Sequence, residues 1–240
     1  MKPIKGWGSA WLDQIIASYK ERGKHSPEGI KLATIAGCVL VFAFIIVSII
    51  IVPANQAREY NFIREEGSIT YLSGILLAMG SGFALVSFLT SEKETRYSRF
   101  FWFIMAGAIG FLALDELMAF HERLGYKLDA LDRDGILHWL TFNTVRAWND
   151  VIVMSYGVVA LGIAVCFLPN FIRYPRLFEY MAIAGSFYFV HTITDSFVEP
   201  PNTYSVIFEE SCKLYCSTFT ALAFLAALLC RIRESSVKDE

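Results

Sequence analysis

The sequence predicts an all-α, polytopic membrane protein: a bundle of six transmembrane helices preceded by an N-terminal amphipathic helix at the membrane interface. The 240 residues are 55% hydrophobic and their mean hydropathy is +0.46, well above the values of soluble domains. Six apolar stretches each run for about 20 residues, enough at 1.5 Å per residue to cross a hydrocarbon core of about 30 Å. The spans and their short links use nearly the whole chain.

Each span is expected to be a helix, because lipid offers no hydrogen-bond partner to a free backbone N–H or C=O. We place the spans at residues 32–52, 69–90, 100–120, 148–168, 178–198 and 208–229. Small residues in the second and third spans, MGSG at 79–82 and AGAIG at 106–110, favour close helix packing. The predicted division is an interfacial segment at 1–29, a transmembrane domain at 30–230 and a tail at 231–240.

The segment before the first span is predicted to form an interfacial helix on the cytoplasmic leaflet. Its large apolar residues fall on one helical face and basic residues follow them. The apolar positions are Trp11, Leu12, Ile15, Ile16 and Tyr19. The alternative is a helix that docks on a partner protein. The segment lacks the compact apolar core and small-residue cleavage site of a signal peptide.

The distribution of Lys and Arg predicts the orientation of the spans. Fourteen of these residues fall on the side of the two termini and six on the other side. By the positive-inside rule both termini are cytoplasmic, as in a multi-pass protein of a bacterial inner membrane. The net charge of −2 indicates no nucleic-acid partner. We expect membrane lipids as partners, with a homo-oligomer or a membrane complex as further options.

Ionisable residues are concentrated near the extracytoplasmic ends of four predicted spans. They are Asp115, Glu116, His121 and Glu122, then Asp150, then His191 and Asp195, then Glu209, Glu210 and Lys213. A charge in mid-bilayer costs about 2.5 to 3.5 kcal/mol, so such residues usually face a bundle interior and have partners. The shared depth therefore predicts one joint site.

Helical angles test which of these residues can face the same site. At 100° per residue, His191 and Asp195 share a face. The sixth span carries a polar stripe of Glu209, Lys213, Cys216, Ser217 and Thr220. His121 lies off the face of Asp115. Either the third helix therefore ends or bulges near Phe120, or His121 and Glu116 serve different sites.

The first interpretation of the cluster is a metal-dependent membrane enzyme that hydrolyses a lipidic substrate. Imidazole and carboxylate ligands suit zinc, iron or manganese, and such a divalent ion activates water. The candidate ligands are Asp115, His121, His191, Asp195, Glu209 and Glu210. Glu116 or Asp150 is the candidate general base, and Lys213 is the candidate stabiliser of developing negative charge. Cys212 and Cys216 are packing residues in this scheme, with soft metal ligation as the other option.

Two other interpretations remain open. An ion- or proton-coupled carrier or channel would titrate the carboxylates and histidines in turn, with Lys213 as an internal counter-charge. In a purely structural cluster, Lys213, Arg123 and Arg146 would pair with acids to fix helix register. A non-catalytic accessory subunit of a membrane complex fits the same pattern.

Other chemistries lack their motifs: the sequence contains no HExxH, HxxxH, ExxH, GxSxG or Walker loop. A small multi-pass chain with Asp, His and Glu at one membrane depth resembles the ceramidase and progestin-receptor type of membrane hydrolase. That resemblance implies a zinc ion bound among helices. The family has seven helices, a paired HxxxH and a Ser one helical turn from a His, and this sequence has none of these. No residue role is transferred from it.

Overall fold

The structure is a computed structural model, and it describes residues 28–53, 55–63, 67–91, 94–132, 135, 147–197 and 202–236. These residues form helices and no strand, which confirms the all-α prediction for the described chain. The helices are α1 Glu28–Ile50, α2 Tyr60–Ile63, α3 Ser68–Leu89, α4 Arg96–Met118, α5 Phe120–Leu131, α6 Trp148–Cys166, α7 Leu168–Arg173, α8 Pro175–Phe197 and α9 Thr203–Ser236. The predicted interfacial helix before residue 28 lies outside the described residues.

Five of these helices, α1, α3, α4, α6 and α9, are long and apolar enough to cross a membrane. They correspond to five of the six predicted spans. The remaining prediction, residues 178–198, falls on α8, which has 23 residues and therefore the length of a span. Glu179, His191 and Asp195 make α8 more polar, and it is not among the five.

The long C-terminal helix α9 is the centre of the bundle. In its most apolar stretch 61% of the residues are buried, against 6% in α6, which lies at the periphery. Helix α9 packs against α8, α3 and α1, and α4 packs against α3. Gly80 allows this close approach, because a Cβ there would lie 3.4 Å from the Ala221 Cα atom.

The apolar core is aromatic and lies towards one end of the bundle. Its largest fully buried side chains are Trp102, Tyr174, Phe101 and Phe224, and the rings of Phe101 and Trp102 meet edge to face. Small residues on α9 fill the space between them. These are Ala223, Ala226 and Ala227, all fully buried. Bulky rings on α4 opposite small residues on α9 give interdigitated packing.

Buried hydroxyl groups join the helices in pairs. The hydroxyls of Thr34 and Tyr180 lie 2.7 Å apart between α1 and α8, and those of Ser73 and Ser217 lie 2.7 Å apart between α3 and α9. Ser81 Oγ donates to the Ala106 carbonyl at 2.8 Å between α3 and α4. Each of these polar groups is therefore satisfied inside the bundle.

The antiparallel helices give the bundle two chemically different ends. The end where α4 and α8 finish and α9 begins holds the predicted cluster, and we call it the polar end. The opposite end holds Glu94, Arg173 and Arg231, and we call it the arginine end. The aromatic core separates the two ends.

Candidate functional site

The chain between α4 and α5 breaks at Ala119, and this break creates the first part of the site. Helix α4 ends at Met118, and Ala119 adopts a left-handed conformation with φ of 50° and ψ of 46°. This turn brings His121 back onto Asp115 of the preceding helix. Of the two alternatives that the sequence left open, the structure has the helix end near Phe120, which resolves the angular mismatch between Asp115 and His121.

Asp115 contacts His121 through both of its carboxylate oxygens. Its Oδ1 accepts from the His121 backbone N–H at 2.9 Å, and its Oδ2 lies 2.8 Å from the His121 Nδ1 atom. Asp115 is buried, whereas the His121 side chain is 19% exposed, so its ring remains accessible. The hydroxyl of Tyr156, on α6, lies against the same carboxylate. Because the buried carboxylate of Asp115 is bonded to Nδ1, Nε2 is the ring nitrogen that can bind or release a proton towards other groups.

Lys213 on α9 links two carboxylates from different helices. Its Nζ atom lies 3.1 Å from Glu116 Oε1 and 2.7 Å from Glu210 Oε2. The Glu210 residue is buried to 9% exposure, and all three side chains lie inside the bundle. Glu116 belongs to α4, whereas Glu210 and Lys213 belong to α9. The two carboxylates and the ammonium therefore form a bridge between these helices. This contact is the main polar connection between these two spans among the described ion pairs.

A second histidine joins the cluster from α8. His191 Nδ1 lies 3.7 Å from Glu209 Oε1, and the charges of Lys213 and His121 both act on the His191 ring. Asp195, one turn further along α8, lies within electrostatic range of Glu210. The prediction that separate helices bring these residues to one depth therefore agrees with the geometry of the described residues.

Asp150 lies in the first turn of α6 and is buried to 5% exposure. Helix α5 packs on this turn, because a Cβ on Gly125 would meet the Asn149 backbone nitrogen at 2.6 Å. The Trp148 backbone N–H also donates to Asp129 Oδ1 at 3.2 Å. Helix α5 thus fixes the start of α6 beside the cluster, and a glycine is required where their backbones meet.

The predicted metal ligands are divided among separate contacts. Asp115 holds His121, Glu210 holds Lys213, and Glu209 lies beside His191. Within the described ranges, no group of three or more His, Cys, Asp or Glu residues is arranged to hold a metal ion. All five cysteines carry free thiols, including Cys212 and Cys216. Arg146, one of the predicted structural partners, lies outside the described residues.

The environment of His121, on α5 outside the candidate spans, raises its pKa above the ordinary value of 6.5. Burial lowers the pKa, but the hydrogen bond to Asp115 and the negative charges of Asp115, Glu122 and Glu116 outweigh that effect. The Glu122 Oε1 atom lies 3.8 Å from Nε2. The imidazolium form is therefore favoured in the folded protein.

This shift predicts a pH dependence of stability. Protonated His121 stabilises the fold fully below its unfolded pKa of about 6.5, and the contribution is lost as the pH rises through the raised folded pKa. We expect the thermal unfolding midpoint of the purified chain to fall over that interval. In a His121→Gln variant the fall should be smaller. An unchanged slope in the variant would assign the pH dependence to other groups.

The polar stripe of α9 ends within the bundle. Ser217, Thr218 and Thr220 are buried and bond to Ser73 or to carbonyls one turn earlier. Beyond them the buried face of α9 carries Ala223, Phe224 and Ala227 against the aromatic core. The cluster thus faces one end of the bundle and is closed off from the other by apolar packing.

Sequence reasoning missed two tyrosines at the site. Tyr156 touches Asp115 and also meets the Phe111 ring at 5.8 Å, and the Tyr188 hydroxyl donates to the Val153 carbonyl. Both hold the loosely packed helix α6 against α4 and α8. No spacing in the sequence links them to the cluster, because tyrosines are common in apolar spans and these contacts join different helices.

Over the described residues, fold and site together define an all-helical arrangement with five helices long and apolar enough to cross a membrane and a buried ionisable cluster at one end of the bundle. The chain belongs to the family described as Domain of unknown function (DUF8692), whose model matches residues 32–231. The match covers every residue of the cluster. Comparison with curated proteins and with solved structures gives no match.

Proposed function

We propose that this protein is an integral membrane enzyme that hydrolyses a lipidic substrate at the polar end of the bundle, with His121 as its proton-transfer group. The observation that carries the proposal is the double contact between Asp115 and His121. The carboxylate fixes the ring orientation and the tautomer, which is the arrangement that general acid–base catalysis requires. His121 Nε2 then exchanges the proton between water and the leaving group.

The protonation state of the pair favours a role as general acid. The raised pKa of His121 extends the protonated form of the ring to higher pH than in a free histidine. Hydrolysis adds water across the scissile bond, and the departing alcohol takes up a proton. His121 supplies that proton, and a water-derived proton restores the imidazolium.

Lys213 has a positioning role in this scheme. Its ammonium is already neutralised by Glu116 and Glu210 at 3.1 and 2.7 Å, so little positive charge is left for a reacting group. The bridge instead holds α4 against α9. The earlier assignment of Lys213 as a stabiliser of negative charge stays a prediction.

The lipidic substrate is inferred from the surroundings of the site. Large apolar side chains, among them Phe111, Leu114 and Val159, are exposed on the outer faces of α4 and α6 and suit contact with acyl chains. The charge distribution supports cytoplasmic termini, which puts the polar end at the extracytoplasmic face of a bacterial inner membrane. A substrate with an acyl chain and a polar group fits here, because its chain can contact these apolar faces while its polar group reaches the polar end.

The alternatives have less support. A carrier needs a polar path across the bundle, and the α9 stripe stops at buried Phe224 and its neighbours. A divalent metal ion, whether zinc, iron or manganese, would require the carboxylates to leave Lys213 and His121. Metal binding and an accessory role in a membrane complex stay predictions, and elemental mass spectrometry of the purified chain tests the former.

The proposal is tested by incubating the purified chain in nanodiscs with a mixed lipid extract and following substrate loss by mass spectrometry. We expect turnover that falls by about 10²- to 10⁴-fold in a His121→Gln variant, the range typical of a positioned acid or base. Thr34→Val, which removes a hydroxyl paired with Tyr180 far from the cluster, serves as the control. Equal turnover in the wild type and His121→Gln would refute the assignment.

A further inference from the structure

The arginine end contains an unusual group of buried polar atoms that lack a hydrogen-bond partner among the described residues. They are Trp102 Nε1, Asn170 Nδ2, Tyr174 Oη and Arg231 Nε. Three are obligate donors, and the fourth, a hydroxyl, can donate. All four residues are at least nine-tenths buried, at 0%, 6%, 2% and 9% exposure. Buried polar groups are nearly always paired, so this group requires an explanation.

The four residues belong to one neighbourhood. The guanidinium of Arg231 lies over the Trp102 ring at 5.2 Å, and the rings of Trp102 and Tyr174 lie 5.6 Å apart. Asn170 and Tyr174 are one helical turn apart, at α7 and immediately after it. Donors without a partner from α4, α9, α7 and the residue after α7 therefore lie at the same end of the bundle.

The basic residues at this end are arranged around the Glu94 carboxylate, and one N–H donor of Arg231 is left without a partner. Arg231 uses Nη1 to bind Glu94 Oε1 at 2.8 Å and Nη2 to approach Thr90 Oγ1 at 3.5 Å, so its Nε remains. Arg173 reaches Glu94 at 3.9 Å and Glu234 at 3.6 Å. The Arg173 side chain is 35% exposed against 8% for Arg231, so the cluster extends from the interior to the surface.

The missing partner must be a hydrogen-bond acceptor. A cation is excluded by the donors and by the excess of basic residues on the surrounding helix ends, among them Arg96, Arg99, Arg176 and Arg233. Phosphate oxygens bind Arg, Trp, Asn and Tyr donors, and a phosphate carries several acceptors at once. If the long helices cross a membrane, this end also lies at the depth of lipid phosphates.

We propose that the arginine end is a phosphate-binding site, in which Trp102, Asn170, Tyr174 and Arg231 donate to the oxygens of one phosphate group. The group comes from a phospholipid headgroup or from free phosphate, and the chemistry at the site is the same. This site lies across the aromatic core from the polar end. It goes beyond the proposed enzyme function and does not depend on it.

Trp102→Phe and Tyr174→Phe test the site, because each removes one polar atom and keeps the ring. Tyr180→Phe is the matched control: it removes a hydroxyl that is already paired with Thr34. The thermal unfolding midpoint of the full detergent-purified chain is measured with added phosphatidylglycerol, phosphatidylcholine or inorganic phosphate. Native mass spectrometry of the same samples measures bound phosphate or lipid.

We expect a saturable rise of the midpoint with phospholipid or inorganic phosphate, and binding that is roughly 10- to 100-fold weaker in both test variants. Tyr180→Phe should lower the midpoint without changing that binding. A response to lipid alone identifies the headgroup as the source, and a response to inorganic phosphate identifies the free ion. Absence of any response, or equally tight binding by both test variants and the wild type, would overturn the proposal. Higher stability of Trp102→Phe without ligand is expected, since removing an unpaired donor from an empty site relieves its desolvation penalty. If Trp102→Phe fails to fold, Tyr174→Phe decides the question.

Discussion

Lys213→Ala is expected to lower the free energy of unfolding by about 3 to 5 kcal/mol, the largest stability change predicted for this protein. The substitution leaves Glu116 and Glu210 facing each other inside the bundle, without the ammonium that lies 3.1 and 2.7 Å from them. A buried carboxylate without a partner must remain charged in a poor solvent or take up a proton. Titration of the purified protein with sodium dodecyl sulfate measures the effect.

Two control variants distinguish the effect of breaking the Lys213 ion pairs from the effect of merely removing a lysine side chain. Lys127→Ala removes an exposed lysine on α5 and should change stability by less than about 0.5 kcal/mol. A triple variant with Lys213→Met, Glu116→Gln and Glu210→Gln removes all three charges at similar volume and should recover most of the lost stability. If the triple variant is as unstable as Lys213→Ala, unpaired buried charge is not the cause, and loss of the contacts within the bridge is the dominant contribution.

Asp115→Asn is expected to lower turnover by up to about 10⁴-fold, and by no more than His121→Gln, while the chain remains folded. The comparable substitution in a catalytic triad has an effect of that size, because the amide stabilises the wrong imidazole tautomer. Here the side chain also accepts from the His121 backbone N–H at 2.9 Å, and an amide oxygen can keep that bond. The amide NH₂ then faces Nδ1 and donates to it, which favours the neutral ring over the imidazolium and removes the general acid. The lipid turnover assay measures the effect.

Asp129→Asn is the matched control for this experiment. Asp129 lies on the exposed side of α5 and accepts from the Trp148 backbone N–H, so it holds α6 rather than His121. Turnover should change little in this variant. Full activity of a folded Asp115→Asn protein would show that the orientation of His121 is unimportant, and catalysis would have to be assigned to another group.

Much of the site could be predicted from the sequence, since the rarity of charges in apolar spans points directly to them. Asp115, His191 and Lys213 stood out because their burial in lipid needs partners. Which of these ionisable residues contact one another could not be predicted from the sequence. Asp115 was a candidate metal ligand, yet it holds His121, since the left-handed turn at Ala119 reverses the chain there. No residue type at position 119 signals such a turn, because alanine favours a continuous helix.

The contacts at the arginine end could not be predicted from the sequence either. From the sequence, Arg173 and Arg231 counted only as positive charges that set orientation. In the structure both meet Glu94, which lies more than a hundred residues from Arg231, and Trp102 packs beneath. Buried atoms without partners are visible only when every neighbour is in place.

The sequence by itself determined the helical class and the approximate bounds of five apolar helices among the described residues. These properties follow from local rules: apolar length, the need to satisfy the backbone within each helix, and a fixed rise per residue. Only the tertiary structure decided which acid meets which base, where α4 breaks and which helix lies at the centre. Those outcomes depend on contacts between distant helices, where small residues such as Gly80 permit close approach and large ones such as Trp102 fill the gaps.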